Sequence, residues 1–447
     1  MGYFRTRSTM STVRNHIEEL RWRGLLHDSM PGTEEYLLKG PARGYIGFDP
    51  TADSLHVGNM VQIMMLVHFQ QSGHLPIALV GGATGMVGDP SGKSTERNLL
   101  DEDALRHNQA CVHAQLERFL DFTTKVNPAL LVNNYDWFKD MGFLRFIREV
   151  GKHISVNYML AKDSVKNRME TGISFTEFSY QLVQGFDFYH LYKELGCRLQ
   201  MGGSDQWGNI TTGTELIRRM AGGEAYAVTT PLLTKSDGSK FGKSEGGNIW
   251  LDAQRTSPYK FYQFWLNAAD TDAAKLARIF TLWPQEQCEA LIAEHAKDPG
   301  RRKLQKEVAA YITKLVHGEG ELANVIRTTE ALFGNSREEL LKLSESAWED
   351  VLESVDHYVT VADPDSTDPA GVSKGQVGAG IPMDKLFWRC GFLKSSGDAR
   401  RAIQEGSLSV NKVKVTADQT TSGDQLILGK YLLLQRGKKN YFLVKVV

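Results

Sequence analysis

Between residues 45 and 71 the chain prescribes a strand, a tight turn and a buried helix, in that order. Tyr45-Ile46-Gly47-Phe48 is a short apolar run and reads as a buried strand. Asp49 to Ser54 are turn and capping residues. The 57–71 run is apolar with few breaks, which predicts a helix with His56 and Gly58 at its first turn. Unpaired N–H groups and the positive dipole end at such a terminus attract anions. An imidazole there donates to a phosphate oxygen, and a glycine lets a flat ring lie against the backbone. A lone histidine at such a place is more often a cap or a core residue, so the reading of His56 depends on the rest of the chain.

The same alternation continues. Strand-like runs at 45–48, 77–80, 130–132, 198–201 and 227–233 are separated by helical ones. This predicts an α/β fold, a doubly wound, Rossmann-like parallel sheet with helices on both faces. Such sheets bind ligands at the carboxyl ends of their strands. The glycine-rich segments 49–59, 81–94 and 202–208 fall there. We assign this Rossmann-like domain to 41–250, after an N-terminal extension with an amphipathic helix (1–40). Residues 251–360, rich in Ala, Leu, Glu and Lys, are expected to form a helical domain. The Pro-, Gly-, Asp- and Ser-rich stretch 361–380 reads as a linker. A small α+β domain is expected over 381–447.

With 447 residues, two or three domains are expected. No apolar run reaches membrane-spanning length. Four scattered cysteines without metal-type pairs suit a reducing compartment, and we place the protein in the cytoplasm. The net charge of −1 says little, but its distribution says more. Residues 381–447 hold twelve Lys or Arg against five Asp or Glu, a net of +7, which leaves −8 on residues 1–380. A basic tail on an acidic body suits a polyanionic partner. The same surplus also describes a merely solvated basic face.

The loop 81–94 is not a phosphate-binding P-loop. That motif puts a glycine where Val87 stands. What remains is a strand-end loop with one acid, Asp89, followed by Lys93 and Arg97. Tyr180, Gln184 and Asp187 recur at i, i+4 and i+7, so they share one helix face. Three polar residues at that spacing usually face solvent. Here the rest of the helix is Phe175, Phe178, Leu182, Val183, Phe186 and Phe188, so the stripe is expected to be buried. A buried carboxylate needs a partner, and Tyr45 at the strand edge is a candidate. Gly202 to Gly208 is a second glycine turn, carrying Asp205 and Gln206. Residues 236–247 are small and polar and carry Lys240 and Lys243, which suits a mobile loop.

Taken together, these stretches resemble one family. His56-Val57-Gly58-Asn59 is similar to the HIGH signature of class I aminoacyl-tRNA synthetases, and Lys240-Phe241-Gly242-Lys243-Ser244 to the KMSKS loop. Residues 47–58, 81–93, 175–187 and 202–210 resemble the bacterial-type tyrosyl-tRNA synthetases. The tail resembles a small RNA-binding module also found in a ribosomal small-subunit protein. The resemblance begins near Met10, which we read as the natural start. Ahead of it, an acid-free stretch with Arg5 and Arg7 is faintly like a transit peptide, and Gly2 fits a loose myristoylation pattern.

The resemblance implies tyrosine activation with ATP and Mg2+, then transfer of tyrosyl to tRNA, with no metal held by the protein itself. Asp187 and Tyr45 would bond the phenol hydroxyl. Asp89, Tyr180 and Gln184 would hold the ammonium end, and Gln206 would lie by the carboxylate. His56, Gly58, Asn59, Asp205, Lys243 and Ser244 would bind ATP. Thr51, His56, Lys93, Arg97, Lys240 and Lys243 would stabilise the transferring phosphate. Arg400, Arg401, Arg436, Lys438 and Lys439 would contact RNA phosphates. A homodimer is expected from the apolar density of residues 133–160. Two departures stand out: Asn59 replaces the second His of HIGH, and Phe241-Gly242 replace Met-Ser of KMSKS. His56 and Lys240 are 184 residues apart, which leaves no room for a separate editing domain. Competing readings are a tryptophanyl enzyme, a small nucleotidyltransferase, and a non-catalytic RNA-binding protein.

Overall fold

The computed structural model describes residues 13–89, 91, 101–169, 172–244, 247–355, 357–359, 372–437 and 440–446. Lys93, Arg97, Lys438 and Lys439 lie outside them, as do residues 1–12 with the N-terminal signals. The chain forms two compact units. One comprises residues 1–255 with 267–316, and the other 256–266 with 317–447.

The first unit is built on a six-stranded sheet: β1 (Asp28–Ser29), β2 (Arg43–Phe48), β3 (Leu75–Val80), β4 (Leu130–Asn133), β5 (Leu199–Gly203) and β6 (Tyr226–Thr230). The order is β1-β6-β5-β2-β3-β4. All pairs are parallel except the β1 edge. The chain runs outward from β2 through β3 to β4, then returns to lay β5 on the opposite side of β2. The crevice between β2 and β5 is therefore a topological switch point, where sheets of this class place their ligands.

Helix Met60–Gln71 has nearly every side chain buried, as an apolar run of that length demands. It begins at Met60, and His56 lies ahead of it in an isolated bridge with Trp250. His56 is thus not in the first helical turn, as the sequence suggested. On the other side of the sheet, helix Phe175–Leu195 packs against helix Trp207–Ala221. A Cβ at Gly213 would come within 2.8 Å of Phe188. The missing side chain lets the two helices, and the polar residues near their starts, approach closely.

The helical stretch 251–360 does not form a domain of its own. Helix Asp270–Phe280 belongs to the first unit, where it packs against helices His16–Arg23 and Met60–Gln71. Buried Arg23 fastens it by donating to the carbonyls of Arg278, Thr281 and Trp283, groups at a helix end that would otherwise lack partners.

The second unit joins helices Pro258–Leu266, Glu319–Phe333 and Glu345–Leu352 to a five-stranded sheet. Two further strands belong to the first unit, β7 (Lys243–Ser244) and β8 (Gly247–Asn248). The sheet here runs β11 (Val413–Lys414), β10 (Leu408–Val410), β12 (Tyr431–Arg436), β13 (Asn440–Lys445) and β9 (His357–Val359). Trp348 stacks on Tyr431 at 5.5 Å. Lys412 Nζ donates 2.6 Å to the carbonyl of Leu332 and also to that of Gly334, capping the 319–333 helix. The linker reading of 361–380 also changes at its end. Ser373 and Gln376 form a capping box for helix Lys374–Ala379, and Val372, Val377 and Ile381 are core. The glycines between them hid this short helix.

Candidate active site

Strands β2 and β5 pair at Gly44–Leu199 and Tyr45–Gln200 and no further, although β2 continues to Phe48 and β5 to Gly203. Their carboxyl ends diverge, and the gap opens into a cavity of about 760 Å3. Tyr45, Asp89, Tyr180, Gln184, Asp187 and Gln206 all line it, and so do Thr51, His56, Gly58, Asn59 and Asp205. Residues scattered over 162 positions of sequence therefore share one wall.

The deep end is organised around Asp187, 1% exposed. Its Oδ2 accepts from Asn134 Nδ2 at 3.0 Å and its Oδ1 from Trp137 Nε1 at 2.9 Å. Burial still outweighs these two donors and lifts the carboxyl to about 8. Tyr45 is equally buried, and its hydroxyl has no hydrogen-bond partner among the described residues. Burial, with Asp187 nearby, holds its proton on well above the usual phenol range. A chain of hydrogen bonds leads on from Asn134. Its Nδ2 also donates to Thr84 Oγ1 at 3.1 Å, and Thr84 donates to Asp49 Oδ1 at 2.7 Å. Tyr180 donates to Asp49 Oδ2 at 2.8 Å. Asp49, read from sequence as a turn residue, is thus the second carboxylate of the pocket.

A third carboxylate, Asp89, stands at the end of the loop after β3. It accepts from Gln206 Nε2 at 2.8 Å and from the Ser91 amide at 2.9 Å. Gln184 turns its Oε1 toward Asn209 at 3.0 Å. This end of the cavity is rich in oxygen acceptors, which suits a cationic group.

The mouth is built by two loops lying against each other. His56 Nδ1 accepts from the Gly58 amide at 3.0 Å, so a neutral ring carries its proton on Nε2. The ring occupies the space that a Cβ at Gly58 would fill. The flat ring this glycine admits is the chain's own imidazole. Asn59 Oδ1 accepts from the His56 amide at 3.0 Å, which leaves the NH2 end of the side chain as its donor. Gly242, at φ +85°, would place a Cβ 3.0 Å from the Gly58 nitrogen. Positive φ and backbone contact together require glycine there. Phe241 stacks on Phe280 at 5.5 Å. Lys240 is exposed and bridges Thr234, while Lys243 and Ser244 form β7 against β8.

Residues 38–334 match the family model for class I tRNA synthetases (W and Y), and residues 377–444 match the tyrosine–tRNA ligase SYY-like C-terminal domain. The tyrosine–tRNA ligase of Cytophaga hutchinsonii is 56% identical over 97% of this chain and 100% of its own length. That of Porphyromonas gingivalis strain W83 is 55% identical, again over 97% and 100%. The chain belongs to the class I tyrosyl-tRNA synthetases. A C-terminally truncated mitochondrial tyrosyl-tRNA synthetase of Aspergillus nidulans has the same fold, with a TM-score of 0.66 and 32% identity over 72% of this chain and 94% of that one.

For a tyrosyl-tRNA synthetase the departure at Phe241-Gly242 now has a physical reason. Phe241 trades a methionine for an aromatic stack, and Gly242 is set by its backbone. In the second unit Arg400 pairs with Asp384 at 2.8 Å and Arg401 with Asp398 at 2.6 Å, both arginines largely exposed. Arg436 ends β12 in register with Asn440. Sequence reading missed Asp49, Thr84, Asn134, Trp137 and Asn209. Each acts through a partner remote in sequence.

Proposed function

We propose that the cavity between β2 and β5 is where this tyrosine–tRNA ligase joins L-tyrosine to ATP. The observation that carries the reading is the buried Tyr45 hydroxyl beside the buried Asp187 carboxyl. A phenol hydroxyl entering there would satisfy both. Phenylalanine would leave the Tyr45 hydroxyl without a partner and Asp187 with only Asn134 and Trp137, which is costly. Tyrosyl against phenylalanyl selection is a known instance of this principle.

The tyrosine carboxylate attacks the α-phosphorus of ATP. An oxygen–phosphorus bond forms as the bond to pyrophosphate breaks. No side chain serves as nucleophile. Asp89, Tyr180 and Gln184 orient the ammonium end, with Gln206 beside the carboxylate. His56 donates Nε2–H to a phosphate oxygen. Thr51, Gly58, Asn59, Asp205 and Ser244 hold the nucleotide, and Lys93, Arg97, Lys240 and Lys243 meet the negative charge of the departing pyrophosphate. This is catalysis by positioning and charge stabilisation. Mg2+ enters as part of the ATP substrate. In the second step the tyrosyl group passes to the terminal ribose of tRNA for tyrosine. ATP–pyrophosphate exchange with a panel of amino acids tests the reading. Tyrosine alone should support rapid exchange, and exchange driven by tryptophan would overturn it.

The basic module of the second unit serves tRNA. Arg400, Arg401, Arg436, Lys438 and Lys439 contact its phosphates, and the exposed ion pairs at Arg400 and Arg401 cost little to exchange for phosphate. Removing residues from 356 onward should leave tyrosine-dependent exchange nearly intact. It should weaken tRNA charging and flatten its salt dependence. Equal loss of both activities would contradict this role.

The ligase works as a homodimer. Phe143, Leu144 and Ile147 on helix Phe143–Glu149 are 65%, 81% and 41% exposed, more apolar surface than a short helix leaves to water without purpose. A second copy covers it through the same face. Sedimentation at micromolar concentration should give the mass of a dimer, and a monomer would contradict it. The protein works in the cytoplasm. Its four free thiols fit reducing conditions, and among the described residues no helix is long and apolar enough to cross a membrane.

A further inference from the structure

Asn209, 2% exposed on the first turn of the 207–221 helix, stands behind the cavity wall. Its side-chain Nδ2 faces four oxygens: Gln184 Oε1 at 3.0 Å, Gln206 Oε1 at 3.2 Å, Ser91 Oγ at 3.3 Å and Asp89 Oδ1 at 3.4 Å. They come from three separate segments: the loop after β3, the 175–195 helix and the turn after β5. An amide nitrogen carries two hydrogens, so four acceptors converge on a donor that can fully satisfy two. The oxygens repel one another, and Asn209 is what draws them to one point. The close packing of the two helices at Gly213 lets its amide reach Gln184.

We propose that Asn209 is a positioning residue for the ammonium end of the substrate. It acts through Asp89 and Gln184 and does not touch the substrate. The proposal rests on the reading above, in which those two residues meet the ammonium. The amide holds their oxygens in place and leaves them under-satisfied. An ammonium group, with three N–H donors, completes the set. Without the amide the oxygens turn apart and the ammonium finds a scattered cage.

The test compares two ligands on one protein: L-tyrosine and 3-(4-hydroxyphenyl)propanoate, which lacks the ammonium. Titration calorimetry of the full-length protein gives affinity, and its stoichiometry gives the folded fraction, so affinity refers to folded protein only. Wild type should bind tyrosine much more tightly than the propanoate. Asn209→Ala should weaken tyrosine by about 10–100-fold, the range for hydrogen bonds to a charged group, and leave propanoate affinity nearly unchanged. Asn209→Ser, which restores one donor, should recover part of the loss. Equal weakening of both ligands, or of neither, would overturn the proposal while leaving the ammonium reading intact. A wild type that binds both ligands alike would overturn the ammonium reading itself, and the proposal with it.

Discussion

Asp187→Asn should cut tyrosine-dependent pyrophosphate exchange by roughly 5–150-fold, the cost of leaving a buried hydrogen-bonding group unsatisfied at about 1–3 kcal/mol. Phenylalanine-dependent exchange, slow in the wild type, should change far less. The amide keeps the shape of the side chain but offers one acceptor where the carboxyl offers two, and Asn134 and Trp137 already donate to that site. Tyr45→Phe removes only a neutral partner. It should lower the tyrosine-to-phenylalanine ratio by a smaller factor, about 2–10-fold for about 0.5–1.5 kcal/mol. An unchanged ratio in Tyr45→Phe would remove Tyr45 from the reading of the hydroxyl. The raised Asp187 carboxyl has a separate signature. It holds its proton up to about 8 when folded, against 3.8 as a free group. Between those values the native state binds more protons than the unfolded chain, so this group's contribution to stability falls as pH rises. Thermal midpoints of Asp187→Asn should decline less steeply from pH 5 to 8 than those of wild type.

His56→Ala should slow adenylate formation by roughly 10²-fold, typical of losing one donor that stabilises transition-state charge. Tyrosine affinity should stay close to wild type, because the imidazole sits at the cavity mouth, apart from the Asp187 end. An interaction made mainly in the transition state appears in the rate and not in substrate binding. Single-turnover measurements with saturating tyrosine and ATP separate the two. Unchanged rates would make His56 a structural residue whose work is to fix the Gly58 turn.

The sheet and the pocket stripe were legible because their signals are local. Five apolar runs gave the five parallel strands, and the spacing of Tyr180, Gln184 and Asp187 on an otherwise apolar helix gave a wall of the cavity. What supports that wall was not legible. Tyr180 bonds Asp49 across 131 positions, and Trp137 bonds Asp187 across 50. Nothing near Asp49 distinguishes a pocket carboxylate from a turn residue. Trp137 and its aromatic neighbours read only as a surface for a partner, yet its indole N–H points inward to Asp187. The start of the 60–71 helix was misplaced because Val57 continues the apolar run while its amide bonds Ile249 across the mouth. Strand β9, three residues long, takes its conformation from β13 and has no pattern of its own.

The central claim is that the diverging ends of β2 and β5 hold tyrosine with its hydroxyl on Asp187 and Tyr45. A crystal structure of the protein with a non-hydrolysable tyrosyl-adenylate analogue tests it most directly. The account predicts the phenol oxygen at about 2.6–3.2 Å from both an Asp187 carboxylate oxygen and the Tyr45 hydroxyl, with the ammonium among Asp89, Tyr180 and Gln184. A ligand whose phenol oxygen meets only solvent, or whose ring lies outside the crevice, would contradict it.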